Sequence, residues 1–103
     1  MTTRKSATMR RLEKLIGGPL RFGQMLRAIR QGEKMSQVNF AAELGISKSH
    51  LCDIEKGRKT VSPARAAEFA RKLGYSEKQF VRLSLQDQLE EAGLRLKVRI
   101  EAA

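Results

Sequence analysis

Residues 36–57 read SQVNFAAELGISKSHLCDIEKG, and this stretch decides the fold. Ser36 and Ser47 each precede a short run with helical spacing, and a Ser oxygen accepts from the orphan N–H groups of a first helical turn. Gly45 and Gly57 follow those runs, where the left-handed conformation that ends a helix suits glycine. Met35 with Phe40, and Ile46 with Leu51, bracket the two serines at the spacing of a hydrophobic staple. Only Gly45–Ile46–Ser47 joins the two helices, too few residues for them to lie antiparallel. They are therefore expected to cross steeply, with small Ala41 at the closest approach and Ile46, Leu51 and Ile54 turned inward.

The same punctuation continues on both sides. Gly18–Pro19 opens a segment with Pro at the first helical position, and Gly32 closes it. Ser62–Pro63 opens another that ends at Gly74, and Ser76 opens a last one that ends at Gly93. Tyr75 and Phe80 form a third staple, and Ser76 with Gln79 fits a capping box. Apolar periodicity supports a helix in each of the five segments. It runs through Phe22, Leu26 and Ile29; Phe40, Ala41 and Leu44; Leu51 and Ile54; Ala66, Phe69, Ala70 and Leu73; and Phe80 and Leu83, which together predict one shared core. Beyond Gly93 the period changes to two. Leu94, Leu96, Val98 and Ile100 alternate with Arg95, Lys97, Arg99 and Glu101, as in a strand with one apolar face. The expected organisation is a basic arm over 1–16, a helical domain over 17–92 and a C-terminal strand over 93–103. Leu12, Leu15 and Ile16 are expected to add one helical turn to the body.

Composition narrows the class. The chain has 103 residues, 41% hydrophobic and 31% charged, which suits one modest core under a charged surface. No run of 18 apolar residues is present, and no apolar stretch follows the basic start, which argues against a membrane span and a secretory signal. One cysteine can neither staple the fold nor hold a structural zinc, and the expected compartment is the reducing cytoplasm. The formal net charge is +10, a sign that suits a polyanionic partner. Residues 1–34 hold nine bases and two acids, whereas residues 35–60 hold four and three. No Gly-rich phosphate loop, metal-ligand cluster or nucleophile motif stands out, so neither an enzyme nor a cofactor nor a metal is expected.

Two helices crossing at a tight turn constitute a helix-turn-helix. The detailed motifs go further: IR at 29–30, SQ at 36–37, FA at 40–41, LGIS at 44–47 and LCDIEKGRK at 51–59. From about Leu20 to Leu83 the chain resembles the lambda-repressor and Cro group of DNA-binding domains, the Xre type. The resemblance implies a bundle of five helices, usually dimeric on operator DNA, with the third helix in the major groove. The expected fold is thus mainly α, a five-helix lambda-repressor-like bundle with one short C-terminal β-strand.

Site residues follow from the helix geometry. With Leu51 and Ile54 buried, Ser49, Asp53 and Lys56 point nearly the opposite way and Cys52 sits on the flank. Lys48 lies in the first turn, the part of a recognition helix that reaches base edges. Lys48 can donate to guanine O6 and N7, Asp53 can accept from cytosine N4, and Ser49 can do either. Ser36, Gln37 and Ser47 stand at helix N-termini, where free N–H groups favour a phosphate. Arg58, Lys59 and Thr60 follow the third helix, beside the groove. The arm residues Arg4, Lys5, Arg10 and Arg11 are further candidates for phosphates or a minor groove. The resemblance also implies that Gln37 contacts the backbone or buttresses recognition residues, and that Arg30 and Glu55 form a structural ion pair. His50 has no catalytic partner and is expected to be a surface residue, and Cys52 a silent thiol rather than a redox sensor.

The expected function is a sequence-specific DNA-binding regulator, a repressor acting as a homodimer on a double-stranded operator. The alternative is the antitoxin of a toxin–antitoxin pair, which binds a toxin and represses its own operon. Leu94, Leu96, Val98 and Ile100 serve either reading, pairing with the same strand of a second copy or with a toxin's sheet edge. A nonspecific RNA or membrane-surface binder lacks the aromatic residues usual for base stacking.

Overall fold

A computed structural model of the chain describes residues 21–103. The expected arm, with Arg4, Lys5, Arg10 and Arg11, the turn at Leu12, Leu15 and Ile16, and the Gly18–Pro19 opening lie outside the described residues. Among the described residues five helices follow in order: α1 (Phe22–Gly32), α2 (Gln37–Leu44), α3 (Lys48–Glu55), α4 (Pro63–Leu73) and α5 (Glu77–Glu91).

Four of the five begin as the serines predict. Ser36, Ser47, Ser62 and Ser76 each accept through the side chain from the backbone N–H three residues on, which satisfies one orphan donor per helix. The staple residues Met35, Ile46 and Tyr75 pack on the core from outside it, while their partners Phe40, Leu51 and Phe80 are fully buried. Every apolar residue assigned to the core from periodicity is buried, and Met25 and Val61 join them. Phe22 meets Phe80 edge-on, with ring centroids 5.6 Å apart, which ties the first helix to the last.

In the packing, α4 lies along α5, α2 crosses α3 and also touches α4, and α1 bridges α3 and α5. The bridge is close. A Cβ added at Gly23 would collide with the Ile54 carbonyl, so only glycine lets α1 approach the α3 backbone this tightly.

Three expectations need correction. Helix α1 starts at Phe22 rather than at Pro19, because Asp87 of α5 supplies the acceptor for the Phe22 N–H, 3.1 Å away. Its exit is closed differently too: Gly32 is the last helical residue, and the left-handed turn residue is Lys34, with φ of 57°. Thirdly, no strand forms among the described residues. Residues 94–103 carry the alternation but have no second strand among the described residues to pair with. One α5 side chain substitutes: the Gln86 carboxamide donates to Leu96 O at 2.8 Å and accepts from Val98 N–H at 2.9 Å. Leu94 and Leu96 stay exposed, and Val98 and Ile100 are half-buried.

Candidate nucleic-acid interface

The turn between α2 and α3 is fixed from both ends. Gly45 adopts φ of 77°, and its N–H and that of Ile46 return to Ala42 O and Ala41 O. Lys72 of α4 donates to Leu44 O at 3.2 Å, which places a cation on the negative end of α2. Ser47 then opens α3 by accepting from His50 N–H.

Within α3, Leu51 and Ile54 are buried and set the rotation of the helix. Lys48, Ser49 and Lys56 are exposed, and His50, Cys52 and Asp53 are partly exposed. The helix therefore presents the face that periodicity predicts.

A charged network holds that face in place. Arg30 on α1 donates to both Glu55 carboxylate oxygens, at 2.8 and 3.1 Å, and to Met35 O at 3.1 Å. Gln37 donates to Glu55 Oε1 at 3.1 Å. One carboxylate at the end of α3 thus joins α1, the loop before α2 and the first turn of α2. The hydrogen bond to Glu55 raises the Arg30 pKa above its ordinary value, and the guanidinium stays charged. The structural ion pair is present as expected, and Gln37 buttresses it rather than standing apart.

Asp53 and Arg58 come together in a way the sequence reading did not foresee. Arg58 Nε donates to Asp53 Oδ1 at 2.9 Å, while the backbone N–H groups of Arg58 and Lys59 both return to Asp53 O. A residue assigned to base reading and one assigned to phosphate contact are therefore each other's partners. The signal was available locally, since Gly57 in a left-handed turn folds position 58 back over the last turn of α3. Lys59 and Thr60 follow, exposed.

Three supporting residues escaped the sequence reading altogether. Gly23 sets the α1–α3 distance, Lys72 caps α2, and Asp87 joins α5 to the start of α1 through Arg21 Nε at 2.8 Å and the Phe22 N–H. Burial pushes the Asp87 carboxyl above its ordinary value, against the opposing pull of Arg21 and that N–H.

Among the described residues, no group of three or more His, Cys, Asp or Glu side chains is placed to hold a metal ion. No helix among them is long and apolar enough to cross a membrane.

The family model described as helix-turn-helix matches residues 26–80, from within α1 to the first turn of α5. Comparison with curated proteins and with solved structures gives no match. The matched span includes both crossing helices, the Arg30–Glu55 network and the α3 exit. The chain belongs to the Xre, lambda-repressor-like helix-turn-helix family of DNA-binding transcriptional regulators.

Proposed function

We propose that the protein is a sequence-specific repressor that binds operator DNA as a homodimer in the cytoplasm, with α3 in the major groove of each half-site. The observation that carries this is the anchoring of α3: Leu51, Ile54 and Glu55 are buried, while Lys48, Ser49 and Lys56 face outward from the same two turns. A helix held this firmly can present side chains to base edges without first ordering itself.

In this arrangement Lys48 and Ser49 read bases from the first turn, with Cys52 and Lys56 along the same groove. Asp53 accepts from a cytosine amine through Oδ2 while Oδ1 remains on Arg58. Ser36, Gln37 and Ser47 set two helix N-termini against phosphates, and Arg58, Lys59 and Thr60 line the adjacent backbone. The arm residues Arg4, Lys5, Arg10 and Arg11 add contacts to phosphates or to the minor groove. Two copies would occupy half-sites about one helical turn apart, roughly 34 Å.

Selection of bound duplexes from a random DNA pool tests the proposal. A palindromic consensus with half-sites one turn apart is the expected result, and a pool with no sequence preference would overturn it.

A second reading, an antitoxin that represses its own operon, is favoured by one observation: Leu94 and Leu96 are exposed on a segment beyond the matched domain. Co-expression with the product of an adjacent gene separates the two. A stable complex that forms without DNA and relieves growth inhibition supports the antitoxin.

A further inference from the structure

Two backbone groups of the C-terminal segment are satisfied as a β-ladder would satisfy them. Gln86 takes Leu96 C=O and Val98 N–H, the two groups that a neighbouring strand would take from one edge. The N–H and C=O groups of Arg95, Lys97 and Arg99 alternate onto the opposite edge, where no hydrogen-bond partner exists among the described residues. Their side chains are exposed, as are Leu94 and Leu96. Between this segment and α5 lies a cleft of about 440 Å³, lined by Arg82, Gln86, Glu90, Leu94, Arg95, Leu96 and Lys97. Glu90, the one acid of that lining, already pairs with Arg21. An unpaired edge is what strand addition requires.

Charge decides which strand fits. A two-fold axis makes self-pairing antiparallel, and the open edge sets odd-numbered residues against odd-numbered residues. The register centred on Lys97 puts Lys97 against its own copy and both Arg95–Arg99 pairs face to face. The register centred on Arg99 gains two Lys97–Glu101 pairs but sets Arg99 against its own copy. The one centred on Val98 offsets two Arg95–Glu101 pairs with two Lys97–Arg99 pairs, so each of these registers keeps a like-charge contact. Like charges directly opposite are destabilising, whereas opposite charges stabilise a ladder. The basic stretch 1–16, with Arg4, Lys5, Arg10, Arg11 and Lys14 against Glu13, is no better matched.

We propose that residues 94–101 form a docking edge for a partner protein, which adds an extended segment alternating acidic and apolar residues. Directly opposite residues in a ladder share a face, so the acidic side chains meet Arg95, Lys97 and Arg99 while the apolar ones cover Leu94 and Leu96. The interface lies outside α3 and requires no DNA, so it stands or falls separately from operator binding.

The test uses the full-length protein and two fluorescein-labelled octapeptides, one alternating Glu and Val, the other alternating Lys and Val. Anisotropy should show the Glu/Val peptide binding at least about tenfold more tightly, as three opposite-charge cross-strand pairs imply. Amide shifts in isotope-labelled protein should concentrate at residues 94–100. The double substitution Arg95→Glu with Lys97→Glu should reverse the preference between the peptides. Equal binding of both peptides, no binding of either, or shifts centred on α3 would overturn the proposal. So would a full-length dimer whose mass in light scattering halves on truncation after Gly93, since the edge would then belong to a second copy.

Discussion

The Arg30–Glu55 pair offers the sharpest test of how α3 is held. Glu55 has a side chain only 3% exposed and Arg30 one 13% exposed, so each would be stranded without the other. Breaking a buried pair from one side costs about 3–5 kcal/mol, because the remaining charge keeps its desolvation penalty and loses its partner. Arg30→Met keeps most of the aliphatic packing and leaves the Glu55 carboxylate with the Gln37 amide alone. Glu55→Leu leaves Arg30 with Met35 O and somewhat more access to water. We therefore expect about 4 kcal/mol for Arg30→Met and about 3 for Glu55→Leu, against a total stability of about 5–15 kcal/mol for a domain. The double variant should cost no more than about 2 kcal/mol, since paired removal replaces two desolvated charges with apolar volume. Urea denaturation followed by circular dichroism measures all four proteins in one cycle. If the double variant loses the sum of the two single losses, the pair is not coupled and the account of the network is wrong.

Other substitutions probe the remaining links. Gly23→Ala should cost more than about 3 kcal/mol through its collision with the Ile54 carbonyl, whereas Gly32→Ala, with open space around it, should stabilise by roughly 0.5–1 kcal/mol; similar denaturation midpoints would refute the close approach. Asp87 titrates above its unfolded value, so its contribution to stability is fullest below the unfolded pKa and declines as pH rises through the folded one. Wild type should therefore lose stability relative to Asp87→Asn as pH rises through that window, and urea midpoints showing the opposite slope would contradict the burial argument. Lys48→Ala and Ser49→Ala should each cost about 1–3 kcal/mol on the selected operator and relax base preference, which repeating the duplex selection would reveal. Deleting residues 1–11 should flatten the dependence of log K on log salt by about 0.9 per lost phosphate contact, and an unchanged slope would leave the arm no role on DNA.

What the sequence makes legible is what local chemistry controls. Serine caps, glycine exits and staples act within five residues, and α2 to α5 begin where those signals place them. The start of α1 was misplaced because its acceptor, Asp87, lies 65 residues away. Gly23 gave no signal either, since a glycine inside a helical pattern looks like a weak position until its neighbour is known. On α3 the buried stripe settles which side chains face outward, but periodicity says nothing about which of them bond to each other. The alternation after Gly93 reads as a strand, but a strand exists only with a partner, and among the described residues only the Gln86 side chain takes that place.

That distinction alters the electrostatics of the candidate reading surface. Residues 35–60 sum to +1, which makes the helix-turn-helix look nearly neutral beside the rest of the chain. Glu55 is turned inward and neutralised by Arg30, which lies outside that span. Asp53 and Arg58 neutralise each other at the α3 exit. Lys48, Lys56 and Lys59 have no carboxylate within ion-pair distance among the described residues, and all three are exposed. The net field over this face is therefore set by these three lysines against the exposed Glu43 of α2, one charge more basic than the formal sum. A field that attracts phosphate is preserved, while the Asp53–Arg58 pair leaves one carboxylate on the exposed face of α3 without a net repulsive charge. The one acid on the exposed face of α3 therefore carries a charge already balanced by Arg58.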